Sequence, residues 1–79
     1  MTQLLIQTSA PDYAAWKAAF DTEGENIAAA SLNTLQIWKG DGDAVLVLFE
    51  VMNRKAAESW LAKQAAFGRG YRAEFLETA

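Results

Sequence analysis

Leu35-Gln36-Ile37-Trp38-Lys39, then Gly40-Asp41-Gly42-Asp43, then Ala44-Val45-Leu46-Val47-Leu48-Phe49-Glu50-Val51: two β-favouring runs stand on either side of a Gly/Asp turn. This is a strong short-range signal for a β-hairpin. With Asp41-Gly42 as a tight turn, Trp38 faces Val45, Gln36 faces Val47 and Ile37 faces Leu46. One hairpin face then carries Leu35, Ile37, Leu46 and Leu48. The other carries Gln36, Trp38, Val45, Val47, Phe49 and Val51. The second of these strands is apolar on both faces, so both faces are expected to be covered.

Working outward, Thr2 to Thr8 reads as a first strand with Leu4 and Ile6 on one face and Leu5 on the other. Pro11 at a first helical position, with Ser9 or Ala10 before it and Asp12 in the first turn, opens a helix. Its stripe is Tyr13, Trp16, Phe20 and Ile27, and it ends near Ala30 or Ser31, with Gly24 as the point of a kink or break. After the hairpin, Asn53 caps a helix from Arg54 to about Ala66. Ala57, Trp60, Leu61 and Gln64 face inward, Phe67 packs below and Gly68 terminates it. Residues 70–77 alternate as a last strand, with Tyr71, Ala73 and Phe75 on one side and Arg72 and Glu74 on the other.

Strand, helix, strand, strand, helix, strand, joined by right-handed crossovers, is the α+β ferredoxin-like βαββαβ arrangement. It is expected as one domain over residues 1–79: a four-stranded antiparallel sheet, order 4-1-3-2, with two helices on one face. Gln36, Lys39, Arg72 and Glu74 suit the exposed edges.

Composition removes several functions. The 79-residue chain contains neither cysteine nor histidine, so it has no disulfide, no imidazole base and no histidine to hold haem iron or zinc. A net charge of −3 argues against nucleic acid, because no basic stripe replaces phosphate counterions. No apolar run approaches a membrane span, and Met1 to Ile6 is too short and uncharged for a signal peptide, so a cytoplasmic protein is expected. There is no phosphate-cradling glycine loop, no carboxylate cluster and no metal-ligand spacing; Gly68-Arg69-Gly70 is too small to be a nucleotide signature. No cofactor is expected.

Two helices cover only one face of a four-stranded sheet. The other face is expected to show Leu5, Trp38, Val45, Val47, Phe49 and Val51. Exposing six such side chains forfeits on the order of 10 kcal/mol, comparable to the stability of so small a domain. A homodimer, sheet on sheet, relieves this, and these six are the interface candidates.

Asp12-Tyr13-Ala14-Ala15-Trp16-Lys17-Ala18-Ala19-Phe20-Asp21, the hairpin ending Val47-Leu48-Phe49-Glu50-Val51 and the helix opening Asn53-Arg54-Lys55-Ala56-Ala57-Glu58 resemble the dimeric α/β-barrel superfamily. The nearest likeness is to its antibiotic-biosynthesis-monooxygenase-like and uncharacterised small members. The resemblance implies two subunits whose sheets close into a barrel, with any ligand in the barrel interior or between sheet and helices. The superfamily's haem-binding members use a histidine on the iron, which this chain lacks. Its cofactor-free oxygenases are associated with asparagine and tryptophan around an aromatic substrate, for which Trp38 with Gln36 and nearby Asn33 is the nearest equivalent.

The pocket candidates are therefore Trp16, Trp38, Tyr71, Gln36 and Arg72. Trp38 is first a core or interface residue and second a ligand contact. Trp16 belongs to a helical aromatic stripe that fills a core or walls a pocket. Tyr71 offers a phenol, and Arg72 offers a guanidinium for a carboxylate. No catalytic residue is assigned. Three functions follow: a dimeric protein holding a small apolar or aromatic metabolite, a cofactor-free monooxygenase, cyclase or isomerase acting on an aromatic or polyketide-like substrate, and a purely structural association module.

Overall fold

The computed structural model describes residues 1–63 and 70–79. The elements run β1 (Thr2–Ser9), α1 (Tyr13–Thr22), α2 (Gly24–Ala29), β2 (Leu32–Lys39), β3 (Ala44–Val51), α3 (Arg54–Lys63) and β4 (Arg72–Glu77). All strand pairs are antiparallel, in the order β2-β3-β1-β4. This is the expected ferredoxin-like order, with the most apolar strands, β1 and β3, in the centre. The expected positions of Gln64, Phe67 and Gly68 lie outside the described residues.

The first helix differs from the expectation at its start. Its cap is Asp12 rather than Ser9 or Ala10, because the Asp12 carboxylate accepts the Ala15 N–H at 3.1 Å. The helical stretch then divides at Glu23, whose N–H turns back to the Phe20 carbonyl at 3.0 Å before α2 begins at Gly24. The break falls where the sequence marks it. At the end of α2, Ser31 takes a left-handed φ of 60°, and its carbonyl accepts the Met52 N–H at 2.9 Å. Asn53 caps α3 as expected, its side chain accepting the Ala56 N–H at 3.1 Å.

The hairpin register differs from the tight-turn expectation by one residue. The Gly40 N–H donates to the Ala44 carbonyl at 2.8 Å, leaving Asp41, Gly42 and Asp43 as the loop, with Gly42 at φ 64°. Trp38 therefore pairs with Leu46, and Ile37 with Val47. A bulge between Thr34 and Gln36 restores the count, so that Thr34 pairs with Phe49 and Leu32 with Val51. Slipping a strand by one residue exchanges its faces.

The exchange falls on β3. Val45, Val47, Phe49 and Val51, expected on the uncovered face, are buried beneath the helices beside Leu4 and Ile6. Leu46 and Leu48, expected in the core, are on the uncovered face and half-buried. Leu35, also expected in the core, sits in the bulge and is exposed. The core is closed by an aromatic chain. Trp16 stacks on Phe20 at 5.2 Å between ring centres, Phe20 on Phe49 at 6.3 Å, and Trp60 meets Phe49 edge-on at 5.9 Å.

Candidate functional site

The helices lie against one sheet face, and among the described residues nothing lies over the other. Side chains of the open face can be read from the strand pairings as three rows that cross the sheet from β2 to β4. The first is Trp38, Leu46, Gln7, Arg72. The second is Gln36, Leu48, Leu5, Glu74. The third is Asn33, Glu50, Gln3, Leu76. The two central strands thus give this face a leucine centre of Leu5, Leu46 and Leu48, and the two edges give it polar or aromatic margins apart from Leu76 near the end of β4. Trp38 is the one exposed aromatic among the described residues, at 43%.

These rows sort the sequence candidates. Of the interface set, Leu5 and Trp38 are on the open face. Val45, Val47, Phe49 and Val51 are not; they are the floor of the monomer's own core, and Leu46, Leu48 and Leu76 take their place. The sequence could not have singled these out, since both faces of β3 are apolar. The one hint was the second glycine of the turn, which suits a longer loop with a left-handed residue.

Of the pocket set, Gln36, Trp38 and Arg72 share the open face. Gln36 and Trp38 stand on the β2 edge and Arg72 on the β4 edge, three strand spacings apart, or about 14 Å. Trp16 is on the helix side, packed into the core between Tyr13, 5.7 Å away, and Phe20. Tyr71 packs against the core from the same side, and its hydroxyl donates to the Leu61 carbonyl at 3.2 Å. The five candidates therefore do not line one pocket. The space between sheet and helices is filled by the aromatic chain.

Among the described residues, the surface clefts include three that bear on the site. The largest, about 370 Å³, lies between α2 and α3 over Trp60, with Glu23 and Asn26 on one side and Ser59 and Lys63 on the other. Glu23 already accepts the Asn26 amide at 2.7 Å. A second, of about 290 Å³, runs from Phe20 and Ile27 to Thr34. The third, about 270 Å³, is on the open face: Leu5, Gln7, Arg72, Ala73 and Glu74 form it beside the β4 edge.

Lys17 is held above the usual 10.5 by its hydrogen bond to the Asp21 carboxylate, and the pair lies on the outer surface of α1. Among the described residues no three acidic side chains converge as a metal site, and no helix is long and apolar enough to cross a membrane. Among the described residues, the surface that gathers the exposed sequence candidates is the open sheet face.

No protein-family model matches the chain, and no curated protein matches its sequence. Solved structures do match its fold. An uncharacterised NIPSNAP domain protein from Burkholderia xenovorans aligns over 100% of this chain and 95% of its own, with a TM-score of 0.65 and 14% identity. Rv0793 from Mycobacterium tuberculosis aligns over 100% of this chain and 96% of its own, with a TM-score of 0.62 and 14% identity. The likeness extends from end to end and is one of fold.

Proposed function

We propose that this chain works as a homodimer in which two open sheet faces turn toward each other, enclosing a small apolar or aromatic molecule. The observation that carries this reading is the open face itself, with Leu5, Leu46, Leu48, Leu76 and Trp38 on a sheet face that none of the described helices covers. A contiguous apolar patch of this kind marks an interaction surface. Four strands from each copy make eight, the number at which a closed barrel is just wide enough for its own side chains or one small ligand. That agrees with the sequence resemblance to the dimeric α/β-barrel superfamily. With the sheet–helix space filled by Trp16, Phe20, Phe49 and Trp60, the barrel interior is where a ligand fits.

Sedimentation at micromolar concentration tests the association: twice the mass of the 8.7 kDa chain is expected, and a folded monomer rejects it. Native mass spectrometry of protein purified from its host tests the ligand. A copurifying small molecule is expected; an empty dimer with a filled interior leaves a structural association module instead.

A further inference from the structure

Resting on that homodimer, we infer that its twofold axis runs along the strands, so that Trp38 of each subunit seats in the open-face hollow beside Arg72 of the partner subunit. An axis between two facing sheets lies in the plane that separates them. Where the strands of the two sheets stay aligned, as in a closed barrel, it runs along the strands or across them, and the three rows of the open face respond differently to the two choices.

With the axis along the strands, midway between β3 and β1, each row meets itself reversed, β2 against β4 of the partner subunit. Trp38 then opposes Arg72, Gln36 opposes Glu74, Glu50 opposes Gln3, and Leu48 opposes Leu5 across the centre. Every carboxylate meets an amide, the guanidinium meets an indole and Leu48 meets Leu5, while Leu46 and Leu76 face the uncharged amides of Gln7 and Asn33. An axis across the strands through the middle row instead sets Glu74 on Glu74, turns Glu50 onto Leu46 and Arg72 onto Leu76. Facing carboxylates repel, and a charge buried on leucine loses its hydration without compensation.

Strand direction is compatible with this axis, although an axis across the strands, which sets each edge on its own reversed copy, meets the same condition. Along β2-β3-β1-β4 every neighbour is antiparallel, so β2 and β4 run in opposite directions. Rotation about an axis along the strands preserves direction. The two edges that close the dimer are then antiparallel, like every other pair in the sheet.

Shape supplies the second argument that separates the two axes. The exposed indole of Trp38 projects from one edge of the open face, and the hollow of about 270 Å³ formed by Leu5, Gln7, Arg72 and Glu74 lies at the other. A knob and a hollow at opposite edges are self-complementary under this axis, as an isologous interface requires. Tryptophan and arginine are also the residues on which interface energy concentrates, and a guanidinium on an indole adds a cation–π attraction.

The absence of cysteine makes the test direct. Gln36→Cys and Glu74→Cys are each made as single-thiol chains, mixed, and treated with a short bis-maleimide. Crosslinking of the mixed pair, with little in either variant alone, is expected. Efficient self-crosslinking of Glu74→Cys overturns the inference in favour of an axis across the strands. No crosslink in a protein that sediments as a dimer overturns the inference and leaves the homodimer standing, whereas a monomer at every concentration overturns both. A double-mutant cycle on the uncrosslinked protein checks the seat itself. Trp38→Ala and Arg72→Ala should each raise the dimer dissociation constant at least tenfold, and the double variant little more than either one. Fully additive effects would show that the two side chains do not meet.

Discussion

On β3, Val45, Val47, Phe49 and Val51 turn toward the helices, while Leu46 and Leu48, one position away along the same strand, look out from a sheet face with no helix over it. The two sets have nearly the same hydrophobicity. They differ in what has been built against them. The inner set meets Trp16, Phe20 and Trp60, whose rings reach over the strand and exclude water. The outer set meets only its neighbours in the sheet. Aliphatic character alone therefore does not distinguish a core from an open face; the completeness of its packing does.

The largest effect expected from disturbing this contrast lies on the inner face. Phe49 is completely buried and touches rings from both α1 and α3. Phe49→Ala should cost about 3–5 kcal/mol, enough to remove most of the stability of so small a domain. Val47→Glu, which buries an unpaired carboxylate at a fully enclosed position, should abolish cooperative folding. Urea unfolding followed by circular dichroism measures both. A native-like midpoint for either would mean that these side chains do not form the core.

The matching change on the outer face separates folding from association. Leu48→Glu leaves every inner contact in place, so the monomer's circular dichroism should be retained. In the dimer the carboxylate enters an enclosed apolar space twice, once per copy. The dissociation constant should rise at least about a hundredfold, equivalent to about 2.8 kcal/mol. Sedimentation velocity across a dilution series reads this directly. A Leu48→Glu chain that dimerises like the parent would remove the open face from the interface.

Between these two faces stands the loop that decides which is which. Gly42 adopts φ 64°, a region in which a side chain is strained by roughly 1–2 kcal/mol. A Cβ there would meet nothing within 4 Å, so Gly42→Ala isolates the backbone term from any clash. The thermal midpoint should fall by about 4–8 °C for each kcal/mol lost. An unchanged midpoint would show that the loop relaxes to another turn without strain.

The same loop explains what could be read in the sequence. Strand order, the capping role of Asn53, the inward faces of β1 and α1 and the break near Gly24 followed from local patterns that one residue more or less does not alter. The faces of β3 did not. They depend on whether the turn contains two residues or three, and Gly40-Asp41-Gly42-Asp43 satisfies either count. With valines and phenylalanine on one side and leucines on the other, alternation offers no correction. The bulge at Leu35 was equally silent. It reverses the extra loop residue within β2, returning Thr34 and Leu32 to the inner face, and it leaves no glycine or proline to mark it. For the candidate site, residue type pointed to Gln36, Trp38 and Arg72, and the open face does collect all three. Residue type could not show that Trp16 and Tyr71 lie on the other side of the sheet, since that depends on packing between elements distant in sequence.

The solvent-facing side of α1 provides the smallest effect and calibrates the others. Lys17 Nζ donates to Asp21 Oδ1 at 2.6 Å, one turn along the helix, with both side chains well exposed. Exposed pairs of this kind contribute little, because water and salt screen them. The hydrogen bond nevertheless raises the lysine's pKa above 10.5 in the folded chain. Whatever the pair contributes is fully present below the unfolded lysine's pKa and is lost as pH rises through the higher folded value. Asp21→Asn should therefore leave the urea midpoint at pH 7 and 0.15 M salt indistinguishable from the parent's. The same substitution should lower the Lys17 titration midpoint, read by NMR of the side-chain amine. A large loss of stability at neutral pH would mean that α1 is held by its outer charges rather than by Trp16 and Phe20 on its inner stripe, and the contrast between packed and merely neighbouring side chains would not extend to the helices.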